Sequence, residues 1–246
     1  MFNGNRFHGW NDKLIEGVTG VVGKLAGEPE HREGQRPKFV GYNELLKILE
    51  MKDCPVCFMI RRSIRYTLSV EFIEELTVPE FREPVRASLG FCKEHSEYVR
   101  RAARNNLQAM GIAIVYEDLL HIHQEAFNEG RIISASERCP LCSLQQDIES
   151  YALQLVADYC DDQEFQQHYE RAGGVCLPHL QEILLMTQGT AHEFLVQSHV
   201  GKIQQMTEEL DEFIRKHDYR FKDEAMTEGE SHSWQYAVRF VTGSSG

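Results

Sequence analysis

The stretch Asp53–Cys57, DCPVC, recurs near the middle of the chain as Arg138–Cys142, RCPLC. In both stretches proline follows the first cysteine, and proline suits the first position of a helix, where its missing N–H group has no partner to lose. Two cysteines at this spacing lie on one turn and can reach the same ion. The two stretches therefore predict two helix starts, each with a pair of metal ligands.

Each Cys-Pro-x-Cys pair is followed by a Cys-x2-His pair, after 34 residues in the first case and 33 in the second. A glycine lies two residues before each of these later cysteines, so we expect them at helix starts as well. The candidate ligands are Cys54, Cys57, Cys92 and His95 in the first set and Cys139, Cys142, Cys176 and His179 in the second. Three thiolates and one imidazole are typical of a closed, structural zinc site. The sequence therefore predicts two zinc ions per chain.

The residues around these pairs repeat too. Tyr66 and Leu68 align with Tyr151 and Leu153 at a shift of 85 residues, and Phe81 aligns with Phe165 at a shift of 84. Alternation typical of strands is nearly absent, whereas apolar residues recur at three- and four-residue steps. We therefore predict an all-α fold made by tandem duplication of a multi-helix unit, each unit pinned by a Cys3His metal site.

Four segments follow from this pattern. They are a mobile N-terminal arm (residues 1–40), helical repeat 1 with the CPVC and CKEH pairs (41–130), helical repeat 2 with the CPLC and CLPH pairs (131–218), and a C-terminal loop, short helix and flexible end (219–246). Pairing of ligands within each repeat is the simpler arrangement. Swapped pairing, in which Cys54 and Cys57 join Cys176 and His179, stays open because order along the chain does not determine spatial partners.

Other cofactors and chemistries fit the same residues less well. Iron–sulfur clusters prefer ligation by cysteine alone, and each set here contains a histidine. A Cys-x-x-Cys pair at a helix start is also the form of a dithiol exchange site, but that context normally includes strands. Asp118 and His121 share a helix face, and His199 lies in the long helix of repeat 2, so an open metal site near His121 and His199 is a further alternative. Cys160 has no counterpart in repeat 1 and is expected to be a buried free thiol.

Composition and charge narrow the binding partners and the cellular compartment that we expect for this protein. The chain has 246 residues and a formal net charge of −12, which disfavours nonspecific binding to nucleic acid. No apolar run is long enough to span a membrane, and the N-terminus lacks the plan of a signal peptide. We expect a cytoplasmic protein, where Cys-x-x-Cys pairs bind metal more often than they form disulfides.

The repeated CPxC and CxxH pairs, followed by the tail FIRKHDYRFKDEAMTEGESHSWQYAVRFVTG, resemble an uncharacterised prokaryotic family catalogued as a domain of unknown function. The resemblance extends over Tyr42 to Gly243. It implies a cytoplasmic helical protein with two cysteine-rich sites, and it implies no activity.

The residues together favour a zinc-binding interaction or regulatory module with an unknown protein partner, and they indicate no catalytic residues. The alternatives are a redox sensor that releases zinc on oxidation of its thiolates, and a metalloenzyme or iron–sulfur protein.

Overall fold

The computed structural model describes residues 40–51, 53–71, 79–102, 106–221 and 223–244. Every regular element in these ranges is a helix and none is a strand, which confirms the predicted all-α class. The predicted N-terminal arm lies outside the described residues, apart from Val40. No helix in the described ranges has both the length and the apolar character that crossing a bilayer requires.

The described residues form ten α-helices. In chain order they are α1 (Val40–Leu49), α2 (Pro55–Tyr66), α3 (Pro79–Ala87), α4 (Lys93–Ala102), α5 (Asn106–Asn128), α6 (Pro140–Tyr159), α7 (Gln163–Arg171), α8 (Leu177–Met186), α9 (Gly189–Lys216) and α10 (Glu228–Thr242). A π-helical turn, Thr67–Glu71, continues α2, and a 3₁₀ turn, Tyr219–Phe221, follows α9.

The described chain divides into two compact units. The central unit comprises residues 60–148, and the split unit comprises residues 40–59 and 149–244. These units divide the chain at other places than the predicted repeats do, because residues 40–59 belong with the second half of the sequence. Helices α2 and α6 each contain one of the division points.

In the split unit, α1 is held at the start of α7. Tyr42 and Leu45 are fully buried, and the Tyr42 ring lies 4.5 Å from the ring of Tyr159 between centroids. The Tyr42 hydroxyl donates to the carboxylate of Asp162. That same carboxylate accepts from the backbone N–H of Phe165 at 3.0 Å and so caps α7, as expected for an aspartate at a helix start. The segment that leads to Cys54 is thereby attached to the segment that leads to Cys176.

In the rest of the split unit, side chains satisfy the backbone groups at helix ends. Lys202 of α9 donates to the backbone carbonyls of Tyr169 at 3.0 Å and Ala172 at 2.7 Å, which satisfies the C-terminal end of α7. Thr227 and Glu230 form a capping box that starts α10. This helix lies within residues 219–246, where the sequence predicts a short helix.

The central unit has its own core and its own helix-ending devices. Ile64, Leu119 and Leu141 are almost completely buried. Arg86 of α3 makes a two-pronged ion pair with Asp118 of α5, with its second contact at 2.6 Å. Gly90 has a φ of +104°, a conformation that favours glycine, and it turns the chain between α3 and α4.

Candidate metal centres

The two Cys-Pro-x-Cys pairs and the two Cys-x2-His pairs all lie at helix starts, as the sequence predicts. Cys54 and Cys139 each precede a proline that opens a helix, α2 and α6, and their partners Cys57 and Cys142 lie in the first turn. Cys176 is the N-cap residue of α8, and Cys92 immediately precedes α4. The positive end of the helix dipole at these positions favours thiolates.

The eight candidate ligands meet in two groups. Cluster A consists of Cys54, Cys57, Cys176 and His179, and cluster B consists of Cys92, His95, Cys139 and Cys142. In each cluster one donor atom from every residue lies within 4.8 Å of the others. Cluster A lies within the split unit and cluster B within the central unit.

The expected pairing within each repeat is therefore wrong, and the swapped pairing is the one that the structure shows. Each cluster joins the CPxC pair of one predicted repeat to the CxxH pair of the other. The physical reason lies in tertiary packing: the Tyr42–Asp162 contact attaches the segment before Cys54 to α7, whereas Cys92 belongs to the central unit. Spacing along the chain is the same for both pairings and cannot distinguish them.

The donor atoms of cluster A are spaced closely and evenly. The Nδ1 atom of His179 lies 3.4 Å from the sulfur of Cys54, 3.5 Å from that of Cys57 and 3.1 Å from that of Cys176. The sulfurs of Cys57 and Cys176 are 3.8 Å apart. All four residues are buried.

Cluster B has the same plan with more exposure to solvent. The Nδ1 atom of His95 lies 3.2 Å from the sulfur of Cys92, 3.8 Å from that of Cys139 and 3.3 Å from that of Cys142. The sulfurs of Cys92 and Cys142 are 3.6 Å apart. His95 and Cys139 are buried, whereas Cys92 and Cys142 are partly exposed.

These spacings can be compared with the edges of a zinc tetrahedron. Zinc–sulfur bonds of about 2.3 Å and zinc–nitrogen bonds of about 2.0 Å give sulfur–sulfur edges of about 3.8 Å and sulfur–nitrogen edges of about 3.5 Å. The observed sulfur–sulfur distances of 3.8 and 3.6 Å match the first value. A disulfide would need its sulfurs about 2 Å apart, and all seven cysteines are free. The two clusters therefore fit one tetrahedral ion each.

Both histidines present Nδ1 to the thiols and have their other ring nitrogen held by a side chain of α6. Nε2 of His179 is 3.0 Å from the carboxylate of Glu149, and Nε2 of His95 is 3.0 Å from the amide oxygen of Gln145. Such contacts orient a ligating imidazole, and a carboxylate also makes it more basic. Sequence reasoning missed both residues, whose only signal is a polar side chain close to the ligand face of a long helix.

The end of α10 closes over cluster A. The backbone N–H of Ser244 donates to the sulfur of Cys57 at 3.4 Å, and the Ser244 hydroxyl donates to the carboxylate of Asp53 at 3.1 Å. Gly243 has a φ of +80°, and a Cβ atom there would lie 3.6 Å from the Cys176 sulfur. Both residues lie in the segment for which the sequence predicts a flexible end, and residues 245–246 lie outside the described part.

Burial and mutual hydrogen bonds shift the pKa values of the side chains in cluster A. Burial raises the pKa of Cys54 well above its ordinary value, whereas hydrogen bonds from Cys176 and Cys54 lower the pKa of Cys57. Burial opposes protonation of His179, but hydrogen bonds with Cys176 and Cys57 outweigh it and raise the pKa of the imidazole to about 10. Protons thus occupy positions from which a divalent cation would displace them, as metal binding to such ligands does in general.

The other candidate residues of the sequence analysis lie outside the two clusters. Cys160 is fully buried, as expected, and burial raises the pKa of its thiol to about 12. His199 is also buried, with Nδ1 2.8 Å from the carbonyl of Leu195 and Nε2 3.1 Å from that of Val175. Asp118 is engaged by Arg86, and His121 is exposed. Among the described residues, the groups able to hold a metal ion are clusters A and B, and neither contains His121 or His199.

Replacing Glu149 by alanine is expected to weaken zinc binding at cluster A by about 10- to 100-fold, because the imidazole of His179 loses the carboxylate that orients it. Competition with a chromophoric chelator measures the two sites separately. Glu149→Gln, which copies the amide contact of cluster B, is the matched control and should lose less. Equal weakening of both sites by Glu149→Ala would contradict this assignment.

Comparison with known proteins finds similarity to one uncharacterised protein and to one family of unknown function. The chain is 24% identical over 197 residues to the "Uncharacterized 23.9 kDa protein in xynA 3'region" of Caldicellulosiruptor sp. (strain Rt8B.4), a match that covers 77% of this chain and 95% of the relative. No solved structure matches the chain. Residues 126–245, which include two ligand candidates of each cluster, match a family described as "Family of unknown function (DUF6062)".

Proposed function

We propose that clusters A and B each bind one zinc ion, and that the two ions hold distant helix starts together in a protein that serves as an interaction or regulatory module. The observation that carries the proposal is the closed donor set: three thiols and one imidazole in each cluster, all within 4.8 Å of one another. Such a set leaves no position for a substrate, which is the arrangement of structural rather than catalytic zinc.

The order of the helices supports the proposed tandem duplication. Helices α3 to α5 and α7 to α9 follow the same plan of two short helices and then a long one. The short helices correspond in length, with 9 residues in both α3 and α7 and 10 residues in both α4 and α8. Because the ligands are exchanged, neither proposed repeat contains a complete site of its own, and folding of each metal centre requires both.

The donor spacing favours a single ion over an iron–sulfur cluster. An iron–sulfur cluster contains several irons and bridging sulfides, so it separates its protein ligands more widely than one ion does. Here the sulfurs of Cys57 and Cys176 in cluster A are 3.8 Å apart, and those of Cys92 and Cys142 in cluster B are 3.6 Å apart. The presence of one histidine in each set points the same way.

The interaction role rests on closed metal sites together with an apolar stripe on α10. Trp234, Val238 and Val241 lie at steps of four and three residues, and each is about half exposed, at 49%, 55% and 56%. Exposed apolar surface of this kind suits a protein partner. The net charge of −12 disfavours nucleic acid, and the seven free cysteines suit a reducing compartment such as the cytoplasm.

Metal analysis of the purified protein tests the proposal directly. We expect two zinc ions per chain, matching the two clusters, and no visible absorption. Substitution by Co²⁺ should produce the intense visible bands of tetrahedral thiolate coordination. Iron with acid-labile sulfide would overturn the assignment to zinc, and protein that binds no metal in reducing buffer would overturn metal binding altogether.

A further inference from the structure

The two clusters differ in how well their thiols are protected. In cluster A the exposed fractions of Cys54, Cys57 and Cys176 are 7%, 5% and 2%. In cluster B, by contrast, Cys92 and Cys142 are partly exposed, while Cys139 is buried with an exposed fraction of 7%. Oxidants act first on thiolates that solvent reaches. Cluster B therefore contains two partly exposed cysteines, whereas the three cysteines of cluster A are all buried.

The hydrogen bonds around the two clusters differ in the same sense. The Ser244 N–H donates to Cys57 of cluster A, which withdraws charge from that sulfur and covers it. Glu149 orients His179 with a carboxylate, whereas His95 of cluster B is held by the neutral amide of Gln145. A carboxylate contact makes the imidazole a stronger ligand. Cluster A is thus both better covered and more firmly supported.

We propose that Cys92 and Cys142 are a peroxide-sensitive dithiol, so that oxidation releases the metal of cluster B while cluster A keeps its own. This inference rests on the proposed zinc binding and assigns a different role to each centre. The two sulfurs are 3.6 Å apart, within reach of a disulfide after a small side-chain rotation. They belong to different helix starts, 50 positions apart in the chain.

The step balances with hydrogen peroxide as the oxidant. One thiolate of the pair attacks peroxide, the O–O bond breaks, and a sulfenic acid and hydroxide form. The second thiolate attacks the sulfenic sulfur, the S–S bond forms, and another hydroxide leaves. Two thiolates thus give two electrons to one peroxide, and two protons from solvent complete two water molecules. Cys139 and His95 are left as an incomplete ligand set.

The disulfide would join the same two points of the chain that the metal joins. The starts of α4 and α6 stay connected in the oxidised form, so the central unit keeps a cross-link while losing its ion. A disulfide between Cys139 and Cys142 would instead connect two residues of one helix turn and leave α4 unattached. We therefore expect Cys142 to form its disulfide with Cys92 and not with Cys139.

The test uses the full-length protein, first shown to contain two zinc ions per chain. It is treated with hydrogen peroxide in the presence of a zinc-sensitive dye. We expect release of one ion per chain at least about tenfold faster than the other. Differential alkylation and peptide mass spectrometry should find the Cys92–Cys142 disulfide, and thiol reductant with added zinc should restore the starting state.

Two variants isolate the centres. Cys57→Ser, which retains cluster B, should release its ion at the fast rate, and Cys142→Ser, which retains cluster A, should not. The unmodified protein answers the same question through alkylation if either variant fails to fold. Equal release rates, faster oxidation of cluster A or a Cys139–Cys142 disulfide would overturn the inference and leave zinc binding intact. Absence of zinc in the starting protein would overturn the proposed function itself.

A cavity beside cluster A makes this a stringent test. A cavity of about 490 Å³ in the split unit is lined in part by Cys54, Cys176 and Ser244. It is large enough to admit peroxide, so protection of cluster A depends on the burial of its cysteines and on the Ser244 contact rather than on distance from solvent. Preferential oxidation of Cys54 or Cys176 would show that this protection is insufficient.

Discussion

Combining Cys57→Ser with Cys176→Ser is expected to leave one zinc ion per chain, whereas combining Cys57→Ser with Cys92→Ser should leave none. Cys57 and Cys176 are ligands of the same cluster, with sulfurs 3.8 Å apart, so the first double variant damages one centre. Cys57 and Cys92 belong to different clusters, so the second damages both. Metal analysis by mass spectrometry on protein purified in reducing buffer measures the difference.

The same pair of variants distinguishes the two ways of pairing the ligands. With pairing inside each repeat, the outcome reverses: Cys57→Ser with Cys92→Ser would keep one ion, and Cys57→Ser with Cys176→Ser would keep none. Cys160→Ala is the control, because Cys160 is buried outside both clusters and donates to the carbonyl of Val156 at 2.9 Å. That variant should retain both ions.

Removal of both ions with a high-affinity chelator is expected to abolish cooperative folding. Binding of a structural zinc ion contributes about 10–16 kcal/mol in small zinc domains near neutral pH, and whole proteins are stable by only about 5–15 kcal/mol. Loss of two such contributions exceeds the net stability of an ordinary chain. Circular dichroism at 222 nm, followed through a thermal scan with and without chelator, measures the loss.

Added Zn²⁺ should restore the helical signal, and added Mg²⁺ should not, because thiolate ligands favour the softer ion.

Each centre is expected to account for part of the loss of helical signal. All ligands of cluster B lie within residues 60–148, so Cys57→Ser is expected to reduce the helical signal in part and leave the central unit folded. A chelated protein that keeps its full helical signal and its sharp unfolding transition would contradict a structural role for the metals.

Local features of this fold follow from the sequence because short-range geometry controls them. Pro55 and Pro140 mark helix starts since proline suits the first helical position, and both helices begin at those residues. The three-residue spacing of Cys54 and Cys57, or of Cys176 and His179, places each pair on one turn wherever that turn lies. The candidate ligands, the helical class and the positions of the helix starts were therefore predictable from the sequence.

Which helix starts meet was decided by tertiary structure alone. The sequence allows Cys54 and Cys57 to face either Cys92 and His95 or Cys176 and His179, since both pairs have the same spacing and chemistry. The contact between Tyr42 and Asp162, 120 positions apart, attaches the first pair to the second half of the chain. Packing of this kind depends on surfaces formed only after the helices exist, so no local pattern reports it.

The contacts that support the two candidate metal centres also depend on tertiary packing. Glu149 and Gln145 reach the two histidines from α6, and Ser244 reaches Cys57 across 187 positions of sequence. The sequence determined which side chains could bind a metal, because ligand chemistry and helix-turn spacing are local properties. Only the tertiary structure decided which of them meet in one cluster and which cluster is more exposed, because these depend on the long-range packing that brings distant helix ends together.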